Sequence, residues 1–449
     1  MKHLVSLLLL ASLAPVNISL AEVGGDDVLM ATHTTSATGS FSSNIVATDT
    51  GILFATGQQT TFNGNEIFVY RSDDNGQTWD TWSTFSHPLQ IIHYSNPSLI
   101  VTDGINDRLF LAYHASGFSQ STVRVGYTDA LAATPSWTFT DVDVDNLGNH
   151  RDLALTSDSK TFNSYYLYFA FTKWNGTGYD MYFARSTDQG STWETPYAVM
   201  STAGISYTHP DLDYGTRLHL VAQSSNAGDT ATRYRNAGFR VLNSGSWNAE
   251  IVHGSETDGI DQLNARVAAN GSDLSAMVAW NQNENIHWRS TTDAGNTWTP
   301  AAVSNGYLLY GLASNSDSYA MAIKPSGILG IYISEPTSSD LQGLWLTTPM
   351  IGGPNDWISG SGTAGLSFNP SENEEWMATI WYDPSYAGDP GFYFDGEWRG
   401  GPGYPNWETE PINHPSLATT HPALADIDGD NDLEIIYNDI TGALKVIQP

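Results

Sequence analysis

The sequence predicts an all-β protein, a six- or seven-bladed β-propeller whose blades are four-stranded antiparallel sheets. Three observations predict this fold. An eight-residue motif recurs three times, tryptophans recur at intervals of 51 to 59 residues, and short apolar strands alternate with turns rich in Gly and Pro. The chain has 449 residues, and one closed ring of blades can take up more than about 300 of them.

The repeated motif has the pattern Ser/Thr-x-Asp-x-Gly-x-Thr-Trp. It occupies residues 72–79, 186–193 and 291–298, and each copy follows an aromatic-rich strand. Ser/Thr and Asp side chains can accept hydrogen bonds from nearby backbone N–H groups, and Gly permits the positive φ of a tight turn. Thr then re-enters a strand, and Trp packs back onto the hairpin. The motif is therefore predicted to join two strands of one blade and to have a purely structural role.

Tryptophan spacing supplies the number of blades. The motif copies lie 114 and 105 residues apart, which is about two blades of 40–50 residues each. Further tryptophans at similar steps fall between and after the motifs, namely Trp137, Trp247 and Trp357, and a shorter step leads to Trp398. This ladder predicts six full blades and a seventh over about residues 362–398. A strand near residues 28–33 is expected to complete the last blade, so that the propeller spans residues 27–399.

The charge of the chain limits its partners. With 17 basic and 48 acidic residues the net charge is −31. This charge disfavours nucleic acid and anionic membrane surfaces as partners, because both need a basic footprint. Solubility and divalent cations are favoured. An anionic substrate would need a local arginine pocket set against this field.

The first 21 residues have the pattern of a signal peptide. A short basic start precedes the apolar run of residues 4–13, and Ser19-Leu20-Ala21 offers a cleavage site. The apolar run is shorter than the about 20 residues that span a bilayer. The chain has no cysteine. Together these features predict a secreted, periplasmic or cell-surface protein of a bacterium, without a transmembrane segment.

The carboxy-terminal part carries a different signal. After a Gly/Pro-rich linker over residues 400–415, the segment 416–449 contains acidic residues at alternating positions around a glycine, Asp426, Asp428, Asp430, Asp432 and Glu434. Alternating oxygen ligands are how a short loop surrounds Ca²⁺ with about 6–8 oxygens, whereas Mg²⁺ retains water and demands octahedral geometry. The pattern predicts a structural calcium site.

Two resemblances follow from these motifs. The three Asp boxes resemble those of the sialidase or BNR-repeat propellers, over about residues 40 to 400, and the segment from Pro422 to Tyr437 is similar to the FG-GAP or VCBS repeat, here one copy that we expect to be truncated. The sialidase resemblance implies three arginines on a substrate carboxylate, a Tyr–Glu nucleophile and an Asp acid/base. Asn44 stands where the family has its first arginine, which argues against cleavage of sialic acid.

Residues at the start of each innermost strand are expected to converge on the face opposite the Asp boxes. Arg151 and Arg266 are the candidates for clamping a carboxylate, and Asp152 is the candidate proton donor. Tyr94 or Tyr207 could contribute a phenol. The expected substrate-binding set consists of His93, Asn96, His150, His209, Asp211 and Asn264.

Three functions remain open at the level of sequence. The first is a protein that binds or hydrolyses a glycan or cell-surface glycoconjugate at the mouth of the channel. The second is a non-catalytic adhesion or interaction propeller. The third is a polysaccharide lyase, because His93, His150 and His209 in successive blades could hold a metal or act as acid/base groups, as in the ulvan lyases that this His/Arg/Tyr set resembles.

Overall fold

The computed structural model describes an all-β chain. The described residues are 28–32, 44–48, 50–61, 64–74, 76–86, 93–102, 107–117, 120–145, 150–159, 162, 164–238, 247–253, 259–269, 274–282 and 285–299, together with the strands after residue 299. Within this part of the chain, no helix is long and apolar enough to cross a membrane.

Seven four-stranded antiparallel sheets, which we number blades 1 to 7, occur among these residues. The first strand, β1 (Val28–Thr32), belongs to the last blade. From the axis outward, blade 1 consists of β2 (Asn44–Ala47), β3 (Leu53–Thr61), β4 (Gly64–Ser72) and β5 (Asp80–Phe85), and blade 2 of β6 (His93–Thr102), β7 (Arg108–Ser116), β8 (Ser121–Asp129) and β9 (Thr138–Asp145). Blade 3 consists of β10 (His150–Ser157), β11 (Leu167–Trp174), β12 (Tyr179–Ser186) and β13 (Tyr197–Met200). Blade 4 consists of β14 (Ser206–Tyr214), β15 (Leu218–Asn226), β16 (Asp229–Ala237) and β17 (Ile251–His253).

The remaining strands complete the ring and add one small sheet. Blade 5 consists of β18 (Gln262–Ala269), β19 (Ala276–Gln282), β20 (Asn285–Thr291) and β21 (Tyr307–Leu309). Blade 6 consists of β22 (Tyr319–Ile323), β23 (Ile328–Glu335), β24 (Asp340–Thr347) and β25 (Met350–Ile358). Blade 7 consists of β26 (Ser367–Phe368), β27 (Trp376–Asp383), β28 (Gly391–Trp398) and β1. A three-stranded sheet follows, formed by β29 (Ala423–Ala425), β30 (Glu434–Asn438) and β31 (Leu444–Ile447).

The ring is closed by the two ends of the propeller sequence. Strand β1 pairs antiparallel with β28, with Val28 opposite Phe394 and Thr32 opposite Gly391. The innermost strand of each blade contacts that of the next, and β26 contacts β2. The predicted β-propeller is therefore confirmed, and the alternative of six or seven blades resolves to seven. The predicted closing strand near residue 28 is present.

In the part of the chain whose side chains are described, the hydrophobic core lies between successive blades, because blades 2, 3 and 4 each bury apolar side chains on both faces. Between blades 3 and 4, Tyr168, Phe183, Leu220 and Trp247 belong to one buried cluster. Equivalent clusters fill the spaces between blades 1 and 2, 2 and 3, and 4 and 5. Among the described residues, second strands supply many of the largest fully buried side chains, for example Phe54, Phe110, Phe169 and Trp280.

The Asp boxes form the turns that their residues predict. Ser72 Oγ accepts the Gly76 N–H, and Asp74 accepts both the N–H and the hydroxyl of Thr78, at 2.6–2.9 Å. The same bonds recur in the boxes that start at Ser186 and Thr291. Each central glycine has φ between 81° and 88°, the left-handed region that glycine adopts without steric cost.

Antiparallel order gives the propeller two different faces. In blade 3, His150 at the start of β10 is level with Lys173, whereas Ser157 at its end is level with Leu167 and with Ser186, where the Asp box begins. The starts of the innermost strands and the turns between second and third strands thus share one face. The Asp boxes lie on the opposite face, as expected from the sequence.

Several sequence predictions fall outside the described residues. The signal peptide (1–21), the linker (400–415) and the acidic loop from Asp426 to Asp432 are among them. Glu434 is the first residue of β30. The export of the chain, its calcium site and the truncation of its last repeat therefore stay predictions.

Candidate functional site

A shared irregularity marks the start of the innermost strands in blades 2 to 5. In each of them the pairing with the second strand shifts, so that two residues are bulged out of the ladder. The shift lies between Ser95 and Ser98 in β6, His150 and Leu153 in β10, Thr208 and Asp211 in β14, and Leu263 and Arg266 in β18. We call the face that carries these bulges the bulge face.

Three of the four bulges share a backbone conformation. Their first residues, in blades 2, 4 and 5, have positive φ, 53° at Asn96, 49° at His209 and 54° at Asn264. Asn and His tolerate this region better than most residues with a Cβ. Arg151 stands at the equivalent position of blade 3 but is not among the residues with positive φ. The four positions thus share the register shift, and blade 3 differs from the others in both the residue and the backbone at this point.

Side chains from neighbouring blades fix the bulges. Gln58 Oε1 accepts the N–H of Asn96 at 2.9 Å, and Gln223 Oε1 accepts that of Asn264 at 3.1 Å. Between blades 3 and 4 the acceptor is a carboxylate, since Asp152 Oδ2 accepts the N–H of His209 at 3.0 Å. The backbone of this face is therefore held by side chains that cross from blade to blade.

Arg151 and Asp152 form the most exposed charged pair of the bulge row. Arg151 Nε lies 3.8 Å from Asp152 Oδ2, and the side chains are 52% and 15% exposed. The Arg151 carbonyl accepts Asn96 Nδ2 at 2.8 Å, which fixes the backbone from which the guanidinium projects. The arrangement offers a cation to solvent beside a carboxylate that the protein holds in place.

Asp211 and Arg266 occupy the same position, directly after the bulge, in blades 4 and 5. Asp211 Oδ2 accepts the Val267 N–H at 2.9 Å. Burial raises the pKa of Asp211 to about 6, although the charge of Arg266 and the Val267 N–H lower it. A carboxyl group with this pKa can release or accept a proton near neutral pH. The structure therefore brings a second arginine and a second carboxyl group to the axis.

His150 belongs to a hydrogen-bonded chain beneath the bulge row. Its Nε2 lies 2.8 Å from Asp143 Oδ2, and its Nδ1 lies 3.0 Å from Ser121 Oγ, which in turn lies 2.6 Å from His114 Nε2. Lys173 Nζ donates to Asp143 Oδ2 at 2.7 Å. Burial and the nearby His150 lower the pKa of His114 to about 4. This chain fastens the outer strands of blade 2 to the first strand of blade 3.

The structure encloses three of the residues that the sequence proposes for the site. The side chain of His150 is 0% exposed and Asn264 is buried, so both support the face from below. Tyr207 is completely buried, with its hydroxyl 3.0 Å from Thr202 Oγ1, so it offers no phenol to the surface. Tyr94 packs edge-to-face on Tyr113 at 5.2 Å.

The histidines do not form a metal site among the described residues. His93 is exposed at the start of β6, His150 is enclosed, and His209 is half-buried. Within the described part of the chain, no group of three His, Cys, Asp or Glu side chains could hold a metal ion. The candidates that remain on the bulge face are His93, Asn96, Arg151, Asp152, His209, Asp211 and Arg266.

Sequence reasoning missed two aromatic residues on the same face. Trp174 ends β11 and Tyr179 begins β12, and their rings meet edge-to-face at 5.2 Å. The Arg151 guanidinium lies 5.9 Å from the centre of the Tyr179 ring. The Asn175-Gly176 pair was the available signal, because Asn-Gly between two apolar segments marks a β-hairpin. A hairpin between the second and third strands of a blade lies on the face where the innermost strands begin.

Comparisons with known proteins support the fold. No family model matches the chain, and no curated protein matches it. Among solved structures, an α-L-arabinanase of Penicillium chrysogenum in complex with arabinobiose is similar at 13% identity, with a TM-score of 0.50, over 83% of this chain and 98% of that chain.

Two further solved structures are similar at lower scores. They are an α-L-arabinofuranosidase of Fusarium graminearum in complex with an iminosugar inhibitor (12% identity, TM-score 0.47, 83% of this chain and 98% of that chain) and the NanB sialidase of Streptococcus pneumoniae (11% identity, TM-score 0.45, 83% and 70%). At such identities the arabinanase likeness shows the fold alone, which agrees with the β-propeller described above.

Proposed function

We propose that this chain is a glycan-directed propeller that binds or hydrolyses an acidic sugar at its bulge face. The proposal is carried by one observation. Four successive innermost strands share the same bulge, yet the residues at and after it include Arg151, Asp152, Asp211 and Arg266. A repeated backbone that presents different charged groups is typical of a binding surface mounted on a rigid scaffold.

Each charged residue has a role in this proposal. Arg151 and Arg266 bind carboxylates of the glycan, because guanidinium groups pair with carboxylates in a forked geometry. Asp152 or Asp211 serves as the proton donor if the glycan is cleaved. The raised pKa of Asp211, about 6, suits a general acid at neutral pH. Against a net charge of −31, the two arginines supply the local attraction that an anionic ligand needs.

The similar glycosidases add context to the proposal. By their names, the solved structures described above are an arabinanase in complex with arabinobiose, an arabinofuranosidase and a sialidase. The Asp boxes resemble those of sialidases, but Asn44 lacks the charge of the family's first arginine. We therefore propose a glycan that carries a carboxylate, without assigning sialic acid.

The proposal is tested with a panel of acidic and neutral oligosaccharides, on which binding and turnover are measured for the full chain. We expect binding of an acidic glycan, weakened about tenfold or more in Arg266→Gln, the loss expected for one charge-assisted contact. Arg124→Gln is the matched control, because Arg124 pairs with Asp141 on the outer strands of blade 2, and it should bind as the wild type does.

The products distinguish the chemistry. Reducing ends without ultraviolet absorbance indicate a hydrolase, an unsaturated product that absorbs in the ultraviolet indicates a lyase, and binding without turnover indicates an adhesion module. If the wild type neither binds nor cleaves any glycan of the panel, the proposal is wrong.

Two further proposals rest on the sequence. The signal-peptide pattern supports export to the periplasm, cell surface or medium, which cleavage after Ala21 in a bacterial host would establish. The alternating carboxylates from Asp426 to Glu434 support a structural Ca²⁺ ion. Calcium should raise the melting temperature of the full chain, and an Asp428→Asn/Asp430→Asn variant should lose that response. An identical response in both proteins would contradict it.

A further inference from the structure

One hairpin of blade 3 presents an aromatic surface next to Arg151. It joins β11 to β12, and the two strands pair up to Trp174 opposite Tyr179. Trp174 is 38% exposed. Among the described residues it is the one aromatic side chain in the set of exposed large hydrophobic residues, whose other members are Leu131, Val144 and Leu274. An exposed indole beside charged groups is a feature of binding surfaces.

The turn that carries this surface is held firmly. Asn175 Oδ1 accepts the N–H groups of Thr177 and Gly178 at 2.9 and 3.1 Å, and Asn175 Nδ2 donates to Asp180 Oδ1 at 2.9 Å. Ser206 Oγ of blade 4 accepts the Tyr179 N–H at 3.0 Å. A Trp on such a turn loses little conformational entropy when it binds a ligand, because its backbone is already fixed.

Arg151 places a positive charge beside the rings. Its guanidinium lies 5.9 Å from the centre of the Tyr179 ring, within the range of cation–π attraction, and its side chain is 52% exposed. Lys173, the other cation nearby, is bound to Asp143 at 2.7 Å and faces Asp145 at 3.8 Å. The available positive charge of this surface is therefore that of Arg151, partly offset by Asp152 at 3.8 Å.

We infer that Trp174, Tyr179 and Arg151 form a binding subsite for one uronic acid residue of a polysaccharide, which specifies the ligand class of the proposed function and rests on it. The apolar face of a pyranose ring packs on the exposed indole, and its carboxylate accepts hydrogen bonds from the guanidinium. One cation matches one carboxylate per sugar. A densely sulfated glycan would need more cations on a chain with a net charge of −31.

The test uses the full chain and two uronic acid polymers, polygalacturonate and hyaluronan, each compared with its carboxyl-reduced form by calorimetry or affinity electrophoresis. We expect the wild type to bind at least one polymer more tightly than the reduced form. Trp174→Ala should weaken this binding about tenfold or more, as truncation of a tryptophan anchor does. Arg151→Gln should remove the preference for the carboxylated form.

The matched control is Leu274→Ala. Leu274 is 42% exposed, and its carbonyl accepts the N–H of Ala294 in the third Asp box, so it lies on the opposite face. Its binding should equal that of the wild type. Trp174→Tyr, which keeps an aromatic ring, should retain most of the affinity for the polymer. Such a result would show that the loss of affinity in Trp174→Ala comes from the missing ring.

The outcomes separate this inference from the proposed function. If Trp174→Ala binds like the wild type while Arg266→Gln binds weakly, the subsite is wrong and the bulge face still binds the glycan. Equal affinity of the wild type for a polymer and its reduced form would also overturn the subsite. If the wild type binds no glycan at all, the proposed function fails, and the subsite with it.

Discussion

The two faces of the propeller use repetition in different ways. On the Asp-box face, three blades repeat the residues, the hydrogen bonds and the glycine φ angles. On the bulge face, four blades repeat the backbone shift, while the side chains at the first bulged position are Asn96, Arg151, His209 and Asn264. Repetition of residue and backbone together marks a part that folds the chain. Repetition of the backbone alone leaves the side chains free for recognition.

The largest effect on the free energy of unfolding is expected for a substitution on the Asp-box face. Gly190 has φ of 86°, and a Cβ there would lie 2.8 Å from Phe110 and 3.2 Å from Leu167. Gly190→Ala should therefore lower the free energy of unfolding by about 3 kcal/mol, about 1 from the backbone and the rest from overpacking. Urea titration followed by tryptophan fluorescence measures it.

A matched glycine on the bulge face provides the control. Gly176 has φ of 104°, but a Cβ there meets nothing within 4 Å. Gly176→Ala should thus show the backbone cost alone, about 1 kcal/mol. Equal losses in the two variants would show that the Asp-box turn is no more tightly packed than the hairpin of blade 3.

An intermediate, pH-dependent effect on the free energy of unfolding is expected from Asp143, which lies beneath the bulge row. Partial burial raises the pKa of Asp143, but hydrogen bonds from His150 and Lys173 lower it to about 2, against 3.8 for a free carboxyl group. A carboxylate with a lowered pKa stabilises the fold above pH 4, and this contribution is lost as the pH falls from 4 to 2. It amounts to about 1–2 kcal/mol for a side chain that is 20% exposed.

The variant Asp143→Asn tests this contribution. It should be less stable than the wild type at pH 6, and the difference should shrink as the pH falls from 4 to 2. Denaturant titrations at several pH values measure it. A difference that stays constant down to pH 2 would contradict the role of the carboxylate charge in this chain.

The smallest effect on stability is expected in the bulge row itself. His209 has φ of 49°, like the Asn residues at the equivalent positions of blades 2 and 5. His209→Asn should change the free energy of unfolding by less than about 0.5 kcal/mol, because Asn suits this backbone. The same variant should change glycan affinity measurably. A stability loss above about 2 kcal/mol would show that His209 belongs to the structural part of the face.

The sequence predicts the two faces unequally, for a physical reason. The Asp boxes are local, since Asp74 and Thr78 are four residues apart, and their spacing alone predicts their hydrogen bonds. The bulges depend on partners from other blades, such as Gln58 for Asn96. The charged residues at the strand starts were found because they repeat with the blades. The enclosure of His150 by Ser121 and Asp143 depends on packing that no motif encodes. The Asn175-Gly176 pair marks the face on which Trp174 lies, but not the exposure of its ring.

The pairing of β1 with β28 has a consequence for the order in which the chain folds. The strand that completes the last blade contains Val28, and its partner contains Phe394. Strands β1 and β28 each leave an unpaired strand edge, which can pair with other chains. This lasts until almost the whole propeller has been synthesised and the two strands have paired with each other. Contacts between such distant residues form late and slowly. A chain interrupted before residue 391 has no β28 against which β1 can pair, so the ring is completed in one of the last steps of folding.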